Sequence, residues 1–146
     1  MELSLMIKDN AVEDSTEKAL KRFAAAELLA FQNKKEAAVT VFDNLIKDNK
    51  GEKIEDEALF KQAKLLQELG QLDKARVNYL KIIDFFQDDI LIDDAYFALA
   101  KLYEEQLNDP MKAQSNYEKI IFNYPDSIFY VESRKKYRLL RGDVIN

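Results

Sequence analysis

Neither cysteine nor histidine occurs anywhere in these 146 residues. Their absence removes disulfides, thiolate and imidazole metal ligands, the cysteine nucleophile and the commonest general base. The three glycines, Gly51, Gly70 and Gly142, are too scattered for the clustered backbone amides of a P-loop or dinucleotide-binding turn. No hydrophobic run approaches the roughly 20 residues that a membrane helix requires. The longest candidate, residues 23–31, contains Glu27, so direct membrane insertion is not expected. The leading Met-Glu-Leu-Ser-Leu-Met-Ile-Lys lacks the basic start, long apolar stretch and small-residue cleavage site of a secretory signal. Lack of cysteine fits cytoplasm and periplasm equally.

What remains is the balance of a folded chain, 47% hydrophobic and 34% charged over the length of one ordinary domain. A net charge of −5 argues against nucleic acid as a partner, because a nucleic-acid binder displaces counterions with a basic face. The charge is unevenly spread. Between Glu132 and Arg141, five basic residues (Arg134, Lys135, Lys136, Arg138, Arg141) oppose one acid, a local +4 that leaves −9 on the rest of the chain. With Ile128, Val131, Tyr137 and Leu140 as its apolar side, this segment is expected to form a closing helix that starts at Ser127 and bears its charges in solvent.

A repeat organises the chain. Ala26, Ala63 and Ala100 recur at a spacing of 37, and three further columns follow in register: Ala38, Ala75, Ala113; Phe42, Tyr79, Tyr117; Leu45, Ile82, Ile120. Each unit reads as two helices, the first over residues 15–32, 54–69 and 93–107, the second over 34–49, 71–87 and 109–123. Apolar positions such as Leu72, Ala75, Tyr79, Ile82, Ile83 and Phe86 follow helical spacing, so one stripe of each helix is buried. Alanine at the recurrent small positions lets antiparallel helices approach closely while an aromatic ring fills the adjoining space. Asn33, Gly70 and the Asn108-Asp109-Pro110 turn break the hairpins at their tips.

These columns, with Leu59, Leu66, Gly70 and Leu72 in the middle unit and Tyr96, Tyr103 and Pro125 in the third, resemble the tetratricopeptide repeat (TPR) family. The first unit departs at Arg22, where the family has a large apolar residue, and at Asn33, where it has glycine. The resemblance covers about residues 15–141. It implies an all-α fold, a right-handed alpha-alpha superhelix of three hairpins (15–53, 54–92, 93–126) with a lead-in at 1–14 and a capping helix and tail at 127–146. Asp93-Asp94-Ala95-Tyr96-Phe97, Tyr124-Pro125-Asp126-Ser127 and the closing Arg138 to Asp143 further resemble the C-terminal part of large Bacteroidetes-type TPR proteins and, more loosely, bacterial envelope TPR lipoproteins. On that likeness the chain is expected to be a C-terminal piece, periplasmic or in the cell envelope if exported and otherwise cytoplasmic. Leu3, Leu5, Met6 and Ile7 would then belong to a helix of a preceding repeat.

The resemblance also implies a function: a non-enzymatic protein-interaction or scaffold module presenting a concave groove to a protein or peptide, with no cofactor and no metal. Carried over residue by residue, the family's groove positions are Phe23, Glu27, Ala30 and Phe31; Phe60, Lys64, Gln67 and Glu68; and Phe97, Lys101, Glu104 and Glu105. The column Phe23, Phe60, Phe97 reads in two ways, as a ladder of aromatic anchors on the groove wall or as packing between hairpins. Other features have plain explanations. The acids Asp84, Asp88, Asp89, Asp93 and Asp94 lack the glycine and closing glutamate of a calcium loop and suit a helix N-terminus. The tripeptide Arg141-Gly142-Asp143 has its glycine where a helix ends. Acids for glycosidic chemistry do not stand out from the solvated background. A second possibility is a structural segment that terminates a long solenoid or self-associates through its N-terminal end.

Overall fold

Three- and four-residue apolar spacing, interrupted by residues that tolerate positive φ, produces helices and short turns throughout. The computed structural model describes residues 2–143, with side chains from residue 15 onward. Among these, seven helices follow in order: α1 (Glu2–Phe31), α2 (Lys35–Asp48), α3 (Lys53–Glu68), α4 (Leu72–Phe85), α5 (Ile92–Glu105), α6 (Pro110–Asn123) and α7 (Tyr130–Arg141). No strand occurs among the described residues.

The turns form where the sequence provides for them. Asn33 and Asn108 adopt φ of 62° and 53°, and Gly70 adopts 78°, each just past the first helix of a hairpin. Asn has the short polar side chain that makes this left-handed conformation tolerable, and glycine has no Cβ to clash. Asp109 caps α6 by accepting from the Lys112 amide at 3.1 Å, with Pro110 in the first turn. Both features suit a helix start, since the early amides have no partner inside the helix.

Two starts differ from the sequence expectation. Helix α1 runs unbroken from Glu2 and does not begin at Ser15; the side chains of Leu3, Leu5, Met6 and Ile7 lie outside the described residues. Helix α7 begins at Tyr130, and Ser127 instead accepts from the Phe129 amide at 3.1 Å in the preceding turn. The Asp89 carboxylate does the same for the Leu91 amide 38 residues earlier, at 3.0 Å. The turn before α7 therefore repeats the turn before α5, and it delays the helix by three residues.

The chain divides into two units, residues 1–65 and 66–146, with α3 contributing to each. In the first, α1 packs on α2 around Ala19, Ala26, Ala38, Phe42, Leu45, Ala58 and Leu65. Gln62, itself buried, donates from Nε2 to the Val39 carbonyl and to Asp43, fastening α3 to α2. Arg22 holds Asp48 at 2.6 Å, so the position where an apolar residue was expected ties α1 to the end of α2 through an ion pair. In the second unit, α4 packs on α5, α5 on α6 and α6 on α7. Tyr79, Tyr117, Ile82, Leu99, Leu102 and Ile120 are fully buried there, beside Ala75, Ala95, Ala100 and Ala113. The recurrent alanines have no exposed surface, as close helix crossings require.

Helix α7 turns a different side inward from the one expected. Ile128 and Val131 are 87% and 77% exposed, Tyr137 and Leu140 are half-buried, and the most buried residue of the helix is Ser133. Ser133 occupies the place that Ala95 holds 38 residues earlier, and both amides donate to the carbonyl four residues back. Its hydroxyl is buried without a hydrogen-bond partner. Burying an unpaired hydroxyl costs about 1–3 kcal/mol. Ser133→Ala should therefore raise stability by about 1 kcal/mol in urea unfolding, and an equal loss would show that the hydroxyl is satisfied in solution.

Candidate partner-binding site

The groove positions inferred from the sequence lie on the first helices of the hairpins, α1, α3 and α5, and the structure sorts them by burial. In unit 1, Glu27 and Phe31 are one helical turn apart on α1 and share a face. Glu27 reaches Lys61 of α3, with Nζ 3.9 Å from the carboxylate, so the two first helices lie side by side on that face. Phe31 is 89% exposed, the most exposed large apolar side chain among those described. On α3, Lys64 sits with its ammonium 5.3 Å from the centre of the half-buried Phe60 ring, one turn earlier. Phe23 is half-buried and meets Phe42 edge-on at 5.4 Å, as part of the packing of α1 on α2. Ala30 is half-buried.

In unit 2 the same positions form a hydrogen-bonded row. The Tyr79 hydroxyl donates to Gln67 at 2.5 Å, and Gln67 donates to Gln106 at 2.7 Å. One repeat later the Tyr117 hydroxyl donates to Glu104 at 2.8 Å, and Glu104 also meets Lys136 of α7 at 3.5 Å. Unit 1 has Phe42 and Ala30 at the corresponding places and makes no such bond. These networks hold Gln67 and Glu104 in fixed orientations, which reduces the entropy lost on binding a partner. Lys101 is half-buried, 5.7 Å from the Phe97 ring centre and 4.0 Å from Glu105.

Phe97 is only 8% exposed. Its ring stacks on Phe129 at 4.3 Å and meets Tyr117 edge-on at 6.0 Å. The column Phe23, Phe60, Phe97 is therefore not an exposed ladder. Phe97 belongs to the core, Phe23 and Phe60 are partly covered, and the exposed aromatic of the set is Phe31.

Burial pushes the Tyr79 and Tyr117 phenols above their ordinary value of 10.0, and at Tyr117 the bond to Glu104 adds to the effect. The folded state thus keeps protons that the unfolded chain releases above about pH 10. Stability contributed by the neutral phenols is complete below that pH and is lost as pH rises through it toward the folded values. The double variant Tyr79→Phe, Tyr117→Phe should show a shallower alkaline fall in Tm than the native chain; an equally steep fall would contradict the assignment.

The remaining sequence features resolve as local structure. Asp93 and Asp94 lie in the first turn of α5. No group of three or more acidic side chains is placed to hold a metal ion among the described residues. Gly142 closes α7 with φ of 96°, and Arg141 bonds back to Asp143, whose carboxyl it holds below the ordinary range. Among the described residues no helix is long and apolar enough to cross a membrane.

The paired helices, small crossing residues and turn spacing match a family model described as tetratricopeptide repeat over residues 57–88 and 94–127. Both segments are tetratricopeptide repeats. The hairpin of α1 and α2, with Arg22 and Asn33 at its two departures, lies outside the matched residues. The crystal structure of a tetratricopeptide repeat protein from Parabacteroides merdae ATCC 43184 superposes with a TM-score of 0.68 at 19% identity, over 85% of this chain and 46% of that one. The two share the all-α solenoid fold, and this chain spans less than half the length of that protein. No curated protein matches the sequence. Tetratricopeptide repeats generally serve protein–protein interaction or scaffolding, in a fold that is typically non-catalytic.

Proposed function

We propose that this chain is a recognition module whose first-helix faces receive an extended or helical segment of a partner protein. The observation that carries the reading is Phe31, an exposed aromatic on the face where Glu27 and Lys61 bring α1 and α3 together. Rigid aromatic side chains lose little entropy on burial and commonly supply the anchors of protein interfaces. Lys64 beside Phe60 adds a cation one helix away, which favours a segment carrying an apolar side chain and a carboxylate. In unit 2, Lys101, Glu104 and Gln67 offer a second set of polar contacts, oriented by Tyr117 and Tyr79. Any longer protein to which the chain belongs would use it in the same way, as an adaptor without chemistry of its own.

The test is a selection of peptides from a random library on the native chain, followed by titration of the best binder against variants. Phe31→Ser and Lys64→Glu should each weaken binding by about tenfold or more, on the order of 1.4 kcal/mol, with the circular dichroism melt unchanged. Both positions are surface-exposed, so neither change disturbs the core. Affinity unaltered by both substitutions would place recognition elsewhere on the molecule.

A further inference from the structure

Large apolar side chains left in water gather at one edge of unit 2. Phe85 ends α4, Ile90 lies in the following loop, Phe122 is in the last turn of α6, and Ile128 is in the loop before α7. All four are between 70% and 87% exposed. They recur as pairs, Phe85 with Phe122 and Ile90 with Ile128, at the same places in successive hairpins. Between the two loops opens a cleft of about 470 Å³, with Ile90 on one wall and Asn123 to Ser127 on the other. Asp88, Asp89, Asp93 and Asp126 line it, and no basic side chain does so among the described residues. Tyr124, in the same wall, has its phenol pushed up by burial and then by Asp93 and Asp88, which registers the negative field.

The complementary surface is on the same unit. Because Ser133 faces the core, the opposite side of α7 carries Val131, Lys135 and Leu139 at successive turns, all exposed, with the exposed Arg134 beside them. One surface thus combines apolar groups with carboxylates and the other combines apolar groups with cations.

We propose that a second copy of this chain covers both, the acidic edge of each copy receiving α7 of the other about a two-fold axis. In such an isologous pair each contact is made twice, so one complementary pair of patches suffices for closure. Burial of Phe85, Ile90, Phe122 and Leu139 supplies the attraction. The opposed charges set the register and speed the encounter. None of these residues is among the first-helix positions Phe31, Lys64 and Lys101, so its test is independent of theirs.

Sedimentation equilibrium of the native chain should show a monomer–dimer equilibrium that weakens as salt is raised. Two charge-reversed variants, Asp88→Lys with Asp126→Lys and Arg134→Glu with Lys135→Glu, should each dimerise on the order of 100-fold more weakly, since like charges then face each other in both contacts. Mixed in equal amounts, they should dimerise again, because one contact then pairs the introduced lysines with the introduced glutamates and the other pairs the native acids of one variant with the native cations of the other. All four substituted side chains are exposed, and unchanged circular dichroism melts would confirm intact folds. A native chain that stays monomeric at every concentration would overturn the proposal, as would variants that dimerise like the native chain or a mixture that stays monomeric. A monomer whose Ile90 and Asp126 resonances shift on adding a synthetic Lys/Leu helical peptide would likewise overturn it and give the edge to a different chain.

Discussion

Phe97→Ala should lower the stability of the chain by about 3–5 kcal/mol in urea unfolding. The ring is buried, stacked on Phe129 and set edge-on to Tyr117, so its removal leaves a cavity bounded by aromatic rings that cannot collapse together. In a chain of this length such a loss corresponds to a fall in Tm of about 10 °C. Phe31→Ala, the same chemical change at a residue that is 89% exposed, should alter stability by no more than about 0.5 kcal/mol. The contrast separates the two roles that the sequence left joined in one list of groove aromatics. Equal losses at the two positions would mean that Phe31 is covered in solution.

Ala100→Leu should cost about 1–3 kcal/mol or more, by overpacking the crossing where α5 meets its neighbours. Ala100 has no exposed surface, and the recurrence of alanine at this column in all three hairpins follows from the space available there. The same substitution at Ala24, exposed on α1, should be close to neutral, since leucine and alanine are both good helix formers. Urea midpoints of the two variants give the comparison directly. A tolerated leucine at position 100 would show that the small column reflects composition and not close approach.

Much of the fold was legible because it rests on periodic constraints. The alanine and aromatic columns mark where helices cross, and Asn33, Gly70 and Asn108 mark where the chain must take positive φ, so helices α2 to α6 lie within a few residues of the expected bounds, whereas α1 starts thirteen residues earlier than expected. What escaped the sequence depended on contacts between elements. Arg22 departs from the repeat pattern in a way that only its ion pair with Asp48, 26 residues away, explains. Ile128 and Val131 looked like the inner side of α7 because helical spacing gives a stripe without saying which way it faces. The turn at Ser127 delays α7 by three residues and turns Ser133 inward instead.

The candidate site was legible to a smaller degree for the same reason. The family's groove columns name Glu27, Phe31, Lys64, Gln67, Lys101 and Glu104 as candidates, but burial decides which of them can touch a partner, and burial is a property of the assembled helices. The bonds from Tyr79 to Gln67 and from Tyr117 to Glu104 pair a second-helix tyrosine with a first-helix acceptor, 12 and 13 residues apart in sequence. A phenol in place of Phe42 together with a polar residue in place of Ala30 is the sequence signal that distinguishes the two later repeats, and it becomes meaningful only once the helices are seen to meet there.

The central claim, that the first-helix faces are where this chain recognises a partner, is tested most directly by amide and methyl chemical-shift mapping of the native chain with the selected peptide. The largest shifts should fall on Glu27, Phe31, Phe60, Lys61 and Lys64, and on Leu28, the exposed leucine next to Glu27 on α1, with the outer sides of α2 and α6 silent. Saturable binding with its shifts confined to those outer sides would contradict it.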